Sequence, residues 1–298
     1  MISTLLASTL SGLAALQVVN SAAPPVLPPD PQRPASPPAA AQPTAPQVPP
    51  DILQRFAACT DMIRTEPERA VEAANVWLVN NGGMFARQCL GLAYVAQERW
   101  APAATVYEQA ARDAQTVNDA RRADFWVQAG NAWIAGGEPT RAVMAFDEAL
   151  AAGSVADELR GEIHLDRARA LVALNNAAGA RTDIDRAIQL VPADPFAWYL
   201  SAELHRRAGD LPRANSDILQ ALERASDNPD ITLLAGTIAG QMGDMGRAEQ
   251  LYRRVAEQAP DTEAGRAARA SLETARDVEE ETPAATPPRP APADPQSR

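Results

Sequence analysis

Two histidines, two cysteines, 38 carboxylates and 27 cationic side chains are the reactive groups available to this 298-residue chain. All of the cations are arginine. With no lysine there is no phosphate-loop lysine, no Schiff-base lysine and no kinase-type lysine. His164 stands in "EIHLDRA" and His205 in "ELHRRAG". Neither has the second histidine four residues away that a zinc-binding helix requires. No nucleophile elbow and no glycine-rich phosphate loop is present. Asp147 and Glu148 are neighbours on a solvated helix, and "DVEEE" at 277–281 reads as an acidic helix end. The expectation is therefore no catalytic residue, no metal site and no cofactor. A net charge of −11 argues against nucleic acid as a partner, since a phosphate-backbone binder needs a basic surface. Cys59 in "RFAACTDMI" and Cys89 in "ARQCLGLAY" lie in apolar helical patterns. They are either a disulfide, if the chain enters an oxidising compartment, or two small core residues.

Whether the chain is exported depends on its first residues. "MISTLLASTLSGLAALQVVNSAA" has a signal-peptide-sized apolar run and small residues at Ser21, Ala22 and Ala23, but lacks a positive start. Export to the periplasm is the expectation for 1–22. An uncleaved membrane tether and a cytoplasmic chain are the alternatives, and any membrane association would run through this segment alone. Residues 23–50 hold 12 prolines in 28 positions, and 282–298 hold six in 17. Helices do not survive that density, because each proline removes a donor and restricts its predecessor. The expected layout is a Pro-rich linker at 23–50, a folded region at 51–280 and a disordered Pro-rich tail at 281–298.

Within the folded region one pattern returns. "GLAYVAQERWAPAATVYEQAA" from Gly91 aligns with "GNAWIAGGEPTRAVMAFDEAL" from Gly130, glycine on glycine, aromatic on aromatic and alanine on alanine. The key alanine recurs at 103, 142, 180, 214 and 248, with Ala70 marking a degenerate earlier copy. Gly137, Gly209 and Gly243 each precede it by five residues, suited to a left-handed helix stop. Asp194-Pro195 and Asn228-Pro229 are helix starts, a capping side chain followed by proline at the first helical position. Each copy is thus helix A, tight turn, helix B. Gly91, Gly130 and Gly236 on the first helix, and the alanines on the second, let the two backbones approach, with Tyr94, Trp133, Tyr107, Phe146 and Tyr252 filling the gaps beside them. One pair cannot bury its apolar face alone, so pairs must stack. The longer spacing of the first copies, at "TVNDARRAD" and "AAGSVADELRG", predicts longer B helices or loops, and 262–278 a capping helix.

The series Trp126, Gly130, Trp133, Ala142, Phe146 and Ala149 resembles the tetratricopeptide repeat family, over five copies at about 84–262. The resemblance implies an all-α, right-handed solenoid of antiparallel helix pairs. It also implies a non-catalytic scaffold or adaptor holding a protein or peptide in a concave groove lined by the A helices. Projected here, that groove takes Phe85, Leu92, Val95, Val127, Asn131 and Ile134 at an apolar end. Arg169, Phe196, Tyr199, Glu203, Arg206 and Arg207 form an arginine and aromatic cluster further along. The arginines could fork onto a carboxylate, or be a solvated face balanced by Glu162 and Glu203. The apolar end could equally be covered by the first helix pair. Asn131 suits the chaperone-tail clamp of some members, but the clamp's lysines are missing. The alternative function is an accessory module in envelope or polysaccharide assembly that binds a glycan or lipid-linked substrate. Both histidines fall on helix A packing positions and read as partly buried packing residues.

Overall fold

The computed structural model describes residues 48–153 and 155–281. The expected export segment, nearly all of the first Pro-rich stretch and the tail beyond Glu281 lie outside the described residues. Among those described there are thirteen α-helices and no strand, and no helix is long and apolar enough to cross a membrane.

The chain divides into two compact units, one up to Ala145 and one from Phe146. The first contains α1 (Pro50–Thr65), α2 (Pro67–Val79), α3 (Gly83–Ala96), α4 (Trp100–Thr116), α5 (Arg122–Ala135) and the start of α6 (Pro139–Leu150). The second contains the end of α6, then α7 (Asp157–Ala173), α8 (Ala177–Leu190), α9 (Pro195–Arg207), α10 (Leu211–Arg224), α11 (Pro229–Gln241), α12 (Met245–Gln258) and α13 (Glu263–Glu281). Helices adjacent in sequence pack together from α1 to α5 in the first unit and from α7 to α13 in the second. A helices also touch the A helix two along, α1 on α3 in the first unit and α7 on α9, α9 on α11 and α11 on α13 in the second. This is the layering that stacked pairs need to share a core.

The recurring alanine is the fourth residue of every B helix, at 70, 103, 142, 180, 214 and 248. Its N–H closes the first α-turn onto the capping carbonyl, as in Ala142 to Glu138 (3.1 Å) and Ala214 to Asp210 (3.0 Å). Ala248 is 4% exposed and the other five not at all. A larger side chain at this first turn would push the B helix off its A helix. At Gly91 of α3 and Gly236 of α11, a tyrosine ring of the partner B helix fills the gap. A Cβ on Gly91 would sit 2.4 Å from the Tyr107 ring, and one on Gly236 would sit 2.8 Å from that of Tyr252.

The turns obey one rule with more residue types than the glycines suggest. Gly137, Gly209 and Gly243 have φ of 74°, 79° and 87°, and the same position is filled by Glu98 (φ 56°) and Asn175 (φ 59°). In all five, the next N–H bonds the carbonyl five residues back, at 2.9–3.0 Å (Arg99 to Tyr94, Glu138 to Trp133, Asn176 to Leu171, Asp210 to His205, Asp244 to Ala239). This closes the A helix through a left-handed residue. The capping residue at 176, 210 and 244 then accepts an N–H of the B helix through its own side chain. Asp194 and Asn228 cap α9 and α11 ahead of Pro195 and Pro229. The extra residues of the early copies are spent in two ways. α4 is a 17-residue B helix, but the second excess lengthens an A helix, α7, also to 17 residues. The connection at 151–156 is also longer than the later ones at 191–194 and 225–228, as the loop reading expected, whereas the B helix α6 is not lengthened. The first turn of α7 is acidic, with Asp157 and Glu158, which favours extending the helix backwards toward its positive end.

The cores differ in make-up. In the first unit Trp77, Tyr107, Phe125, Trp126 and Trp133 are buried, each such side chain contributing about 1.5–3 kcal/mol. Cys59 on α1 and Cys89 on α3 are joined as a disulfide, with Cα atoms 6.1 Å apart, in a cluster with Trp77, Leu90 and Phe56. The second unit is filled mainly by Ile184, Ile218, Ile231, Ile238 and alanines. Val255 of α12 packs with Ala264 and Ala268 of α13, which closes that end.

Candidate functional site

The residues projected onto the groove fall six to each unit. In the first unit, Phe85, Leu92 and Val95 lie on α3 and Val127, Asn131 and Ile134 on α5, all half-buried. Phe85 is engaged from within its own unit. It meets Phe56 of α1 edge-on, with ring centroids 5.9 Å apart, and the Arg121 guanidinium lies 4.4 Å from its centre. Arg121 is fixed in turn by a forked bond to Asp119, 3.0 and 2.7 Å, and this bond holds the Asp119 carboxyl below its usual range. Of the two readings of Phe85, cover by the first helix pair is what its contacts show. The carbonyl oxygens of Asn131 and Gln128 are buried without a hydrogen-bond partner.

In the second unit, Phe196, Tyr199, Glu203 and Arg206 are spaced three, four and three residues apart on α9, which puts them on one face. Arg207 follows, and Arg169 lies on α7. Phe196 is 47% exposed, the one aromatic among the exposed large apolar side chains described. Tyr199 meets it edge-on at 6.4 Å and packs on the core beneath. Burial, with Asp230 and Glu203 adding, pushes the Tyr199 phenol up to about 12.

The arginines are held inside their own helices. Arg206 forks onto Glu203 at 2.7 and 2.9 Å, and Arg207 adds a 2.6 Å bond to the same carboxylate. Burial pushes Glu203 up, but the two guanidinia outweigh it and the carboxyl lies below its usual range. Arg169 pairs with Asp166 (2.9 Å), not with Glu162. Glu162, Asp194 and Asp230 all stand above the usual carboxylate range. Burial is the main cause in each; Asp166 and Asp194 add to it at Glu162, and Glu263 at Asp230.

Both histidines are partly buried, as expected of packing residues, but they also enter polar networks that the sequence did not announce. His164 Nδ1 lies 2.9 Å from Oδ1 of Asp183, a carboxylate only 2% exposed. Arg167 forks onto Asp183 at 2.8 and 2.7 Å and also bonds Asp147. Burial raises the Asp183 carboxyl, and Arg167 and His164 together bring it below its usual range. One repeat later the arrangement returns with changed parts. Ser201 stands where Arg167 stood and donates to Asp217 (2.5 Å), and His205 Nε2 is 3.7 Å from Asp217. Arg181 donates to His205 Nε2 (3.1 Å) and Ser201 (3.1 Å). Asp183 and Asp217 each sit three residues after the recurring alanine, where the other copies have Val106, Ala145 and Leu251. A carboxylate at an apolar repeat position was the available signal.

A tetratricopeptide repeat family model matches residues 90–157, 165–229 and 205–263, together more than half of the chain. The chain belongs to the tetratricopeptide repeat family. Proteins of this family are generally non-catalytic scaffolds that bind protein or peptide partners. Solved structures similar to it include PilW, described as a widely conserved type IV pilus biogenesis factor (16% identity, TM-score 0.59, covering 77% of this chain and 100% of PilW). Others are Pseudomonas aeruginosa pilF (14% identity, TM-score 0.58, 74% and 97%) and a tetratricopeptide repeat protein from Parabacteroides merdae (16% identity, TM-score 0.54, 76% and 84%). At these identities the likeness is one of fold. No curated protein matches the sequence.

Proposed function

We propose that this protein is a non-catalytic scaffold whose second unit takes a protein or peptide partner on the face of α9 that carries Phe196 and Tyr199. The observation that carries the reading is Phe196. Aromatic side chains elsewhere on the A helices are buried or packed under neighbours, whereas Phe196 stands half in solvent with Tyr199 steadying its edge. An aromatic anchor with a fixed neighbour is the kind of residue that dominates binding energy at interfaces. Glu203, Arg206 and Arg207 form a mutually satisfied polar rim beside it. Their role is orientation of the partner, since a carboxylate ligand would have to displace Glu203.

The setting proposed is the bacterial periplasm, with residues 1–22 acting as the export signal. The Cys59–Cys89 disulfide supports an oxidising compartment, and the lysine-free, alanine- and arginine-rich composition suits a GC-rich genome. Mass analysis of the mature N-terminus tests export, because an intact first residue on secreted material would count against a cleaved signal.

The binding face is tested by affinity capture with the full chain, Phe196→Asp and Leu219→Asp, the last on α10. Loss of the captured partner with Phe196→Asp alone is expected. Equal recovery with all three would reject the face. Loss after protease treatment of the lysate identifies the ligand as protein rather than glycan.

A further inference from the structure

The repeat register places two carboxylates beside Phe196, and they set the chemistry of its partner. Phe196 stands 18 residues before the recurring Ala214, as Glu162 stands 18 before Ala180 and Asp230 18 before Ala248. The three side chains therefore occupy one position on α7, α9 and α11, and α9 packs against both of the other helices. The exposed ring has a carboxylate on each side of it, one helix away. The electrostatics agree with that placement. Asp194, which caps α9, helps to raise the Glu162 carboxyl, and Asp230 helps to raise the Tyr199 phenol beside Phe196.

Other acids on these helices are matched by arginine. Arg206 and Arg207 hold Glu203, and Arg169 holds Asp166. Neither Glu162 nor Asp230 has an ion pair among the described residues, and Asp194 spends an oxygen on the Phe196 N–H. Burial first, and neighbouring acids second, raise both the Glu162 and the Asp230 carboxyl, with no cation opposing. Arg206 follows Phe196 by ten residues, about 15 Å along the helix, and its charge is already spent. The neighbourhood of the ring is thus negative and uncompensated. Spacing narrows the partner further. Packed helix axes lie about 8–10 Å apart. An extended chain advances about 3.3 Å per residue, so three residues carry it from one helix to the next.

We propose that the Phe196 face takes a basic segment: an extended peptide crossing α7, α9 and α11, with a large apolar residue on Phe196 and a lysine or arginine about three residues to either side. One cation meets Glu162 and the other Asp230. This deepens the reading of Phe196 as the anchor and rests on it. The ring supplies contact area, and the carboxylates supply selection, because an acidic segment laid on the same line would meet like charge at both ends. The net charge of −11 favours encounter with such a partner.

Selection of a displayed library of random decapeptides on the full chain, followed by calorimetry of the enriched peptides, tests this. Enriched peptides are expected to carry an apolar residue with Lys or Arg two to four residues away on both sides. Glu162→Gln combined with Asp230→Asn should weaken them at least tenfold and flatten the dependence of affinity on salt. These exchanges keep side-chain shape at positions without an ion pair, so the fold survives. The same loss of charge on the B helices, Glu223→Gln with Glu257→Gln, should leave affinity unchanged. Phe196→Ala should weaken binding at least tenfold. Binding indifferent to Phe196→Ala would reject the anchor, and this proposal with it. Binding that needs Phe196 but shows no excess of Lys and Arg over the unselected library, or that is equally weakened by both double exchanges or by neither, would keep the anchor and overturn the basic partner. A selection that enriches no peptide overturns it as well.

Discussion

The two units solve the same packing problem with different chemistry. In the first, the A-helix positions of the repeat hold Trp126, Tyr94 and Trp133. Trp133 needs only one polar partner, Glu108, at 2.8 Å from its indole nitrogen, and Arg141 covers its ring at 3.5 Å. In the second, the positions equivalent to Trp126 and Trp133 hold His164 and His205. A histidine fills less space and brings two nitrogens, and the B helix answers with an aspartate three residues past its key alanine. All three buried polar side chains among the described residues, Asp183, Ser201 and Thr232, belong to this second unit. At His164 the polar ring meets a buried carboxylate, Asp183, and its arginine, Arg167, while at His205 the aspartate, Asp217, is less buried and bonds Ser201. Such a network holds only while complete, since any member left alone is a buried charge without a partner.

The largest consequence lies at Asp183. Asp183→Ala leaves Arg167 to Asp147 alone and takes the carboxylate from His164, and should cost about 3 kcal/mol, read as a lowered urea midpoint for the second unit. A loss below about 1 kcal/mol would show that the network merely decorates the helices. In the first unit the comparable weak point is covalent. The disulfide spans 30 residues, and replacing both Cys59 and Cys89 by serine should remove about 3.5 kcal/mol if chain entropy governs. Hydrogen exchange should quicken in α1 to α3 while α9 to α12 keep their protection. Loss of protection in α9 to α12 would erase the distinction between the units.

Smaller effects compare single positions across repeats. The left-handed turn residue is glycine at 243 but glutamate at 98. Gly243→Ala should cost about 1 kcal/mol, and Glu98→Gly should gain up to about 1 kcal/mol, in thermal or urea midpoints. The same sign in both would mean the turns are not equivalent. The smallest effect is that of pH. Asp183 and Glu203 lie below their usual range, so their stability is present at neutral pH and lost as pH falls below about 4. Glu162, Asp194 and Asp230 lie above it, so as pH falls toward the usual carboxylate range the folded state takes up protons before the unfolded chain does and gains stability there. The second unit should therefore be most stable slightly on the acid side of neutral. A monotonic decline from pH 7 would contradict the raised position of those three acids.

The helix pairs were legible because the repeat constrains backbone and side chain together. A buried alanine at the fourth position of each B helix and a glycine beneath a ring leave few alternatives, and five registers agreed. The left-handed positions of Glu98 and Asn175 were hidden, because only glycine advertises that conformation. The second length excess is legible only in part, since its loop is longer as expected but periodicity alone does not say that most of the added residues extend an A helix, α7. On the candidate face, Phe196 and Tyr199 were identified from register. The pairing of Arg206 and Arg207 with Glu203 had been one of two readings, and spacing of three and four residues permits both that and an outward reach. Asp183 went unnoticed because a carboxylate among helical charges looks solvated until its repeat position is compared with Val106 and Ala145.

The central claim is that the A-helix face of the second unit receives the partner. Hydrogen exchange of the full chain, alone and with its captured partner, tests it most directly. The account predicts added protection on α9, centred on Phe196 to Glu203, with α10 and α12 unchanged. Protection confined to the B helices, or none on α9 at saturating partner, would contradict it.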